Sequence, residues 1–594
     1  MNIIGLTAFH GASSAALLQN GAMVAAIQEE RLTRVPWDRR IPINAFRACL
    51  ELGKIANPSQ VDALAFYRDP YKKRERQIRS GLDPALDISL GWLDPLRAED
   101  EIKRFLGYDG PIYYFDYLES FAAGSVGSEC AVLSLCSIGD NESVAWGAWS
   151  DHKITWSGFR PFPHSPDMFL SLVCQFLGFD PLRDEKKVFA LSLTGHPRFQ
   201  TQMNQIHKDV SPTHYEIDVR FGQFTQSEIL YSQAFVDLMG CPPRSPQDPF
   251  EAVHRDIAAS AIALYEKVLL SYLTLLSLAS KNRRRLKISS SIGELILARH
   301  TNLPFAGFDF SSPADESRAA IGAAVLASRK LDPSTDIVIP TSLVLSPSPT
   351  KLSIERTMKA SGLVLSHFPG DRDRQVTALV ERLSAFKSLA LFQGPDQIAS
   401  ASPGARSILV NPLNPDALAN LSTQGVKLSE QFGATIFVLA AFAKNDWGID
   451  ADQLWLQADF PKAIQNSGLK HCSYLEVKII ADRHQSFLHD LLVAFFQKTS
   501  CAFLLATPFA VGSEPKVAAT EDALRSMVKS QLDTLAFEDY VLDKTNIPLS
   551  LRKPPTADPM ERGDTRANHP LVVQRPERLR PAESMLPRGI NLFQ

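Results

Sequence analysis

The side chains of this chain that could do more than fold stand in short runs. His10-Gly11 comes first, and the charged group Glu29-Glu30-Arg31 follows with Thr33-Arg34 close behind. Next come the phenols Tyr113, Tyr114 and Tyr117, the thiol of Cys136, then Glu185 and Lys187, the isolated His196, Glu316 and, much later, Arg406-Ser407. A phenol with a pKa of about 10 is a poor ligand for a divalent ion at neutral pH, where neutral imidazole binds readily. Tyrosinate could still serve ferric iron, but the Y-Y-x-x-Y run is read as aromatic packing. His196 lies in Gly195-His196-Pro197 and reads as a turn histidine, because an imidazole without a carboxylate or hydroxyl partner is seldom a catalyst. Arginines have their main interest as bidentate phosphate clamps.

The elements that must position these groups begin at the N-terminus. Asn2–Ala8 and Ser13–Leu18 are apolar runs, Asn20-Gly21 is the signal of a type I′ turn, and Met23–Gln28 supplies the next strand. A helix from Ile43 to Leu52 closes at Gly53. Strands are expected over Val61–Tyr67, Pro111–Phe115, Cys130–Cys136 and Ser143–Trp149, with a short helix around Leu118–Ala123. Ser312-Pro313 followed by acids, with Arg329-Lys330 at the far end, makes a good helix start and finish. The longest apolar stretch, Ala258–Leu278, carries Glu266-Lys267 at its middle and is read as a buried helix, not a membrane span. The basic run Lys281–Arg285 then complements the helix dipole.

A chain of 594 residues is too long for one core and long enough for two or three domains. A net charge of −3 gives no electrostatic case for nucleic acid. Seven scattered cysteines without a C-x-x-C pair point to a reducing compartment and away from a zinc ribbon. The start lacks the pattern of a signal peptide, so the expected location is cytoplasmic.

The opening, His10-Gly11, Ser14-Ala15-Ala16-Leu17, Gly21, Glu29-Glu30-Arg31, Thr33-Arg34 and Pro42, resembles that of the O-carbamoyltransferases of nodulation-factor and antibiotic pathways. The likeness recurs in later blocks. Glu185, Lys187, Val188, Leu191, Gly195, Pro197 and Arg198 stand where the family has G-E-x-K-V-M-G-L-A-P-Y-G-x-P-R-Y. Gly322-Ala323-Ala324, Phe392-Gln393-Gly394 and Arg406-Ser407-Ile408-Leu409 also match. The resemblance implies an α/β chain: an actin-like (ribonuclease-H-like) ATPase-fold domain over 1–335, a Pro/Ser/Thr-rich linker over 336–362 and an α/β YrdC-like domain over 363–551. Residues 552–594 are expected to be a disordered tail, being rich in proline and mixed charge. In active family members the resemblance implies ATP and carbamoyl phosphate, joined through carbamoyl adenylate, and a divalent metal.

Against that pattern the chain departs at its chemical positions. Tyr113, Tyr114 and Tyr117 replace three histidines of the family's metal site, Cys136 falls on an aspartate, and Glu316 stands where a metal-binding aspartate would be. Ser289-Ser290-Ser291 replaces a glycine pair that lets the backbone approach nucleotide. Pro395, Gln397, Ser429 and Gly433 fall on charged positions of the C-terminal motifs. Frame and spacing persist while ligands and phosphate clamps are gone, so the expectation is a non-catalytic homologue with no catalytic residue, no metal and no cofactor. Its partners would be an active carbamoyltransferase relative, pathway enzymes or another copy of itself, and the apolar tip Gly589–Gln594 would contribute to that assembly. The alternative is a divergent but active O-carbamoyltransferase working through residues such as Glu30, Arg31, Lys187 and Arg406.

Overall fold

The structure, a computed structural model, describes residues 1–80, 94–124, 129–150, 153–209, 215–224, 229–279, 284–300, 302–311, 316–339, 350–394, 404–423, 433–450, 452–481, 486–512 and 514–550. The proline- and charge-rich tail from 552 onward, with its apolar tip, lies outside the described residues. The described residues divide into two compact units, 1–29 with 37–339 and 30–36 with 350–550.

The first unit starts as its sequence predicts. Asn20 and Gly21 both take positive φ, +48° and +82°, and join β2 (Ser14–Gln19) to β3 (Ala22–Gln28). β1 (Asn2–Thr7) pairs antiparallel with β2, and β4 (Ala63–Phe66) and β5 (Ile112–Tyr114) extend the sheet in parallel, giving the order β3-β2-β1-β4-β5. A second sheet repeats this plan. β6 (Cys130–Leu135), β7 (Glu142–Ser150) and β8 (Lys153–Pro161) form the antiparallel meander. The short pair β9 (His207–Asp209) and β10 (Glu216–Ile217) follows, and then β11 (Arg285–Ser289) and β12 (Gly307–Ser311) run parallel to β6. Two sheets with one shared strand order are the duplicated ribonuclease-H-like architecture of the actin-like ATPase fold.

Helix Glu316–Leu331 locks the first sheet to helix Tyr117–Ala123 without side-chain spacers. A Cβ on Gly322 would lie 1.8 Å from the Ser120 carbonyl oxygen, and one on Gly5 would lie 1.8 Å from that of Ala320. Helix Ala252–Ala279 is, among the described residues, the one long and apolar enough to cross a membrane, yet Ile257, Ile262, Leu269 and Leu273 along it are buried in the unit.

His207 is a buried exception in this apolar interior. Its ring stacks on Tyr215 and meets the edge of Phe169, and neither ring nitrogen has a hydrogen-bond partner among the described residues. Burial lowers the imidazole to about 3. The unfolded chain takes up this proton near its ordinary value of 6.5 and the native state does not, so stability is full above that value and falls as pH drops toward 3. Between pH 7 and pH 5 the loss is expected to be about 2 kcal/mol, and His207→Phe should remove it. Denaturant unfolding at the two pH values checks this; equal losses in parent and variant would show that His207 is not the source.

The second unit is built on nine strands: β13 (Ser366–His367), β14 (Leu389–Phe392), β15 (Arg406–Val410), β16 (Gly433–Leu439), β17 (Gln453–Leu456), β18 (Tyr474–Ile480), β19 (Phe503–Pro508), β20 (Thr534–Phe537) and β21 (Tyr540–Asp543). Their order is β13-β21-β20-β14-β15-β19-β16-β18-β17, and helices Arg372–Ser384 and Phe487–Thr499 bury Leu379, Leu383, Leu491 and Phe495 in the core around the sheet.

Two features differ from the sequence expectation. Residues 351–361, read as part of the linker, form a helix capped by Thr350 whose Ile354 and Met358 join the C-terminal core. At the other end of that expected linker, Val338 bridges to Ala22 beside the first hairpin. In addition, residues 30–36, read with the N-terminal domain, belong to the second unit. There Arg34, at φ +61°, donates to the carbonyls of Pro515 at 2.6 Å and Lys516 at 2.7 Å and lies 3.5–3.6 Å from the carboxylates of Glu514 and Asp522.

Candidate functional site

The turn between β1 and β2 carries His10, and helix Pro70–Arg79 supplies the charged groups that act on it. Asp69 caps this helix by accepting from the amides of Tyr71 (2.9 Å) and Lys72 (3.2 Å), with Pro70 in the first turn. The helix reads PYKKRERQIR, so the face it buries is polar. Lys73, Arg76 and Gln77 are buried, as is Arg68 just before it. The turn between β6 and β7 answers with Asp140, which is fully buried. Its carboxylate accepts from Arg68 Nη1 at 3.1 Å and from the amides of Asp69 and Tyr117, both at 2.9 Å. Arg68 also donates to the Ile138 carbonyl (3.0 Å), and Arg76 Nη1 donates to that of Gly139.

The electrostatics follow from this crowding of cations. Burial, reinforced by Arg68, pushes Arg76 down to about 10. Burial, then Arg76, Arg97 and Arg68, hold Lys73 well below the usual lysine value. Burial, then Arg68, Lys73, Arg76 and Arg39, do the same to His10, which is neutral at pH 7. Burial raises Asp140 to about 6 against the opposing pull of Arg68, leaving it mostly ionised at pH 7.

Each of the three tyrosines packs against a different group. Tyr113 lies under the Lys330 ammonium at 4.9 Å, and Tyr114 packs edge-on against Phe66. Tyr117 is covered by the Arg68 guanidinium at 3.9 Å and packs on Phe121 at 4.8 Å. Burial raises the Tyr114 phenol, which further disfavours the tyrosinate a metal would need. Cys136 is buried with its thiol directed at the Ser143 carbonyl (3.6 Å), and burial raises it well above the ordinary thiol value. Among the described residues no group of three His, Cys, Asp or Glu side chains is placed to hold a metal. A donor set of separated phenols, one already under a guanidinium, does not fit a divalent ion.

The remaining candidates have structural partners. Glu29 accepts from the amides of Asn44 (3.1 Å) and Ala45 (2.7 Å), so it caps helix Ile43–Leu52. Glu30 and Arg31 sit 3.9 Å apart in the second unit. Glu185 accepts from Ser171 Oγ (2.7 Å) and the Leu182 amide (2.6 Å), and burial raises it to about 7. Lys187 pairs with Asp184 at 2.9 Å. Ser291 donates to Asp167, which also accepts from Tyr265 at 3.0 Å, so the serine run is tied into the interior. Glu316 opens helix Glu316–Leu331.

In the second unit Arg406 is fully buried, its guanidinium 3.6 Å over the Phe392 ring and donating to the carbonyls of Gln393 (3.2 Å) and Ala405 (2.8 Å). Ser407 is buried beside it in β15. A cavity of about 560 Å³ nearby is lined by Lys351, Phe368, Arg372, Gln393, Glu538 and Tyr540, among others. Pro395, Gln397 and Ser429 lie outside the described residues, and Gly433 begins β16. Arg68, Lys73, Arg76, Asp140 and Asp167 are the groups that sequence reading passed over. Charge at the 3–4 residue spacing of Asp69, Lys73 and Arg76 was the available signal.

Comparison with known proteins bears on the whole chain. Residues 380–544 match the family described as carbamoyltransferase C-terminus. The uncharacterised protein sll1178 of Synechocystis sp. is 25% identical over 606 aligned positions, 92% of this chain and 97% of that protein. Nodulation protein NolNO of Sinorhizobium fredii is 22% identical over 573, 89% of this chain and 78% of that protein. Among solved structures, the activator of 2-hydroxyisocaproyl-CoA dehydratase from Clostridium difficile aligns over 58% of this chain and all of its own, with 11% identity and a TM-score of 0.28. The ROK hexokinase of Thermus thermophilus aligns over 56% of this chain and all of its own, with 11% identity and a TM-score of 0.27. The C-terminal match, the near full-length relatives and the motif frame from His10 to Leu409 agree, and the chain is a member of the O-carbamoyltransferase family.

Proposed function

We propose that this chain has lost the carbamoyl-phosphate and ATP chemistry of its family and acts in a biosynthetic pathway, in the cytoplasm, as a non-catalytic partner or ligand-binding protein. The observation that carries this reading is the arginine seated on Tyr117, at a position where the family resemblance implies a metal ligand. A cation 3.9 Å from the ring repels a second cation there, and neighbouring phenols cannot offset that. The C-terminal unit is taken as YrdC-like, with Arg406 retained as a packed, carbonyl-bound group. On this reading the protein needs no resident metal or nucleotide, and its partners are an active relative, pathway enzymes or a second copy.

The expected result is that purified full-length protein, given ATP, magnesium and carbamoyl phosphate, releases pyrophosphate no faster than a no-enzyme control. Release above that control, abolished by Arg406→Ala, would establish instead an active carbamoyltransferase.

A further inference from the structure

The hydroxyl of Ser137, in the turn that follows β6, ends a hydrogen-bonded chain that starts at a buried carboxylate. Glu185, 4% exposed at the start of helix Glu185–Ser192, accepts from Ser171 Oγ at 2.7 Å, and Ser171 Oγ lies 2.9 Å from Ser137 Oγ. A hydroxyl has one hydrogen to give; that of Ser171 is directed at the carboxylate, so Ser137 donates to Ser171. Ser171 is fully buried in helix Pro166–Phe176 while Ser137 is half-buried, which puts the base at the inner end of the chain and a reachable hydroxyl at the outer end. The backbone around that hydroxyl is pinned: Ser165 Oγ donates to the Cys136 carbonyl at 2.7 Å and Ser143 Oγ to that of Ser137 at 3.4 Å. The Leu182 amide, which also donates to Glu185, explains why a carboxylate closes its turn. It does not account for two hydroxyls leading from that carboxylate to the surface.

We propose that Ser137 is an acylation site, its hydroxyl taking the acyl group of an activated ester while Ser171 and Glu185 relay the proton inward. Ser137 Oγ forms a bond to the ester's carbonyl carbon, and the bond from that carbon to the leaving oxygen breaks, the leaving oxygen keeping the electron pair. The Ser137 proton moves to Ser171 Oγ as the Ser171 proton moves to Glu185. The products are acylated Ser137, the leaving alkoxide or phenolate, and a protonated Glu185 that afterwards returns its proton to solvent. Burial raises Glu185 to about 7 against the opposing bond from Ser171, which suits a base working near neutral pH. The step is stoichiometric and uses neither ATP nor carbamoyl phosphate, so it goes beyond the non-catalytic reading without depending on it.

The test is incubation of the full chain with p-nitrophenyl acetate, followed by peptide mass spectrometry. The peptide containing Ser137 should gain one acetyl group, and Ser137→Ala should abolish that gain. The rate at Ser137 should rise with pH through about 7 and then level, because Glu185 must be ionised to accept the proton. Glu185→Gln, which keeps an oxygen for Ser171 and the Leu182 amide but cannot serve as the base, should slow acetylation at least tenfold, within the roughly 10²–10⁴-fold that general-base assistance supplies. If Glu185→Gln does not fold, Ser171→Ala, which cuts the relay and leaves the carboxylate, must give a slowing of the same order. No acetyl group on Ser137, a rate that ignores pH between 6 and 8, or a parent-like rate in the folded relay variant would overturn the site.

Discussion

Asp140→Ala is expected to destabilise the first unit by about 3–5 kcal/mol, the usual effect of removing one partner from a buried ion pair. The residue is fully buried and in contact with Arg68 at 3.1 Å, and its field reaches Lys73 and Arg76 as well. Its loss also strands the amides of Asp69 and Tyr117, at the starts of two helices. Both amides donate to Oδ2, so Asp140→Asn can keep that acceptor but loses the charge facing Arg68, and it should fall between parent and alanine. Scanning calorimetry of the full chain resolves the effect. An alanine variant melting within a degree of the parent would mean that Asp140 does not hold the cluster together.

Gly322→Val should cost about 3 kcal/mol or more, at the upper end of what overpacking usually produces. The contact a Cβ would make is with backbone, the Ser120 oxygen at 1.8 Å, so no rotamer change can relieve it and helix Tyr117–Ala123 must move as a body. That helix begins at the amide bound by Asp140, so the displacement should also loosen the cationic cluster. Gly362→Ala is the contrast. Gly362 has a left-handed backbone, at φ +64°, but nothing lies within 4 Å of its Cβ position, and the expected cost is only the roughly 1–2 kcal/mol of that conformation. Equal losses from the two substitutions, read by urea unfolding, would show that the close approach at Gly322 is not what limits packing.

The elements around the site were legible because they follow strong local rules. Asn20-Gly21 demands its turn, and the apolar runs of β1, β2 and β6 leave little choice but buried strands. The cationic cluster was not legible, since a PYKKRERQIR helix has no apolar stripe and charge on a helix normally marks a solvated face. Only the tertiary position of Asp140, 64 residues beyond Arg76 in sequence, turns that face inward. Alignment of motifs drew attention to Cys136, whereas the turn places its carboxylate four residues later. Glu29 looked like chemistry because it sits in a charged run, but its oxygens are spent on backbone amides, a use that depends on where helix Ile43–Leu52 begins in space. Residues 351–361 were read as a crossing on the strength of the prolines before them; Thr350 as a cap and the Ile354–Met358 spacing were the weaker signals of a helix.

Arg34 sets a timing problem for synthesis. Its carbonyl partner on Lys516 lies 482 residues downstream, so at ordinary elongation rates the ribosome needs roughly 25–100 s after making Arg34 to deliver the groups that fix it. During that interval β1–β3 and helix Ile43–Leu52, whose partners are close by in sequence, are already available to fold on either side of residues 30–36. The nascent first unit therefore carries an unplaced Arg34 segment until the last tenth of the described chain, around Glu514–Asp522, has emerged. Completion of the second unit is in this sense recorded near the N-terminus, and a ribosome that stops short leaves that segment open to proteases.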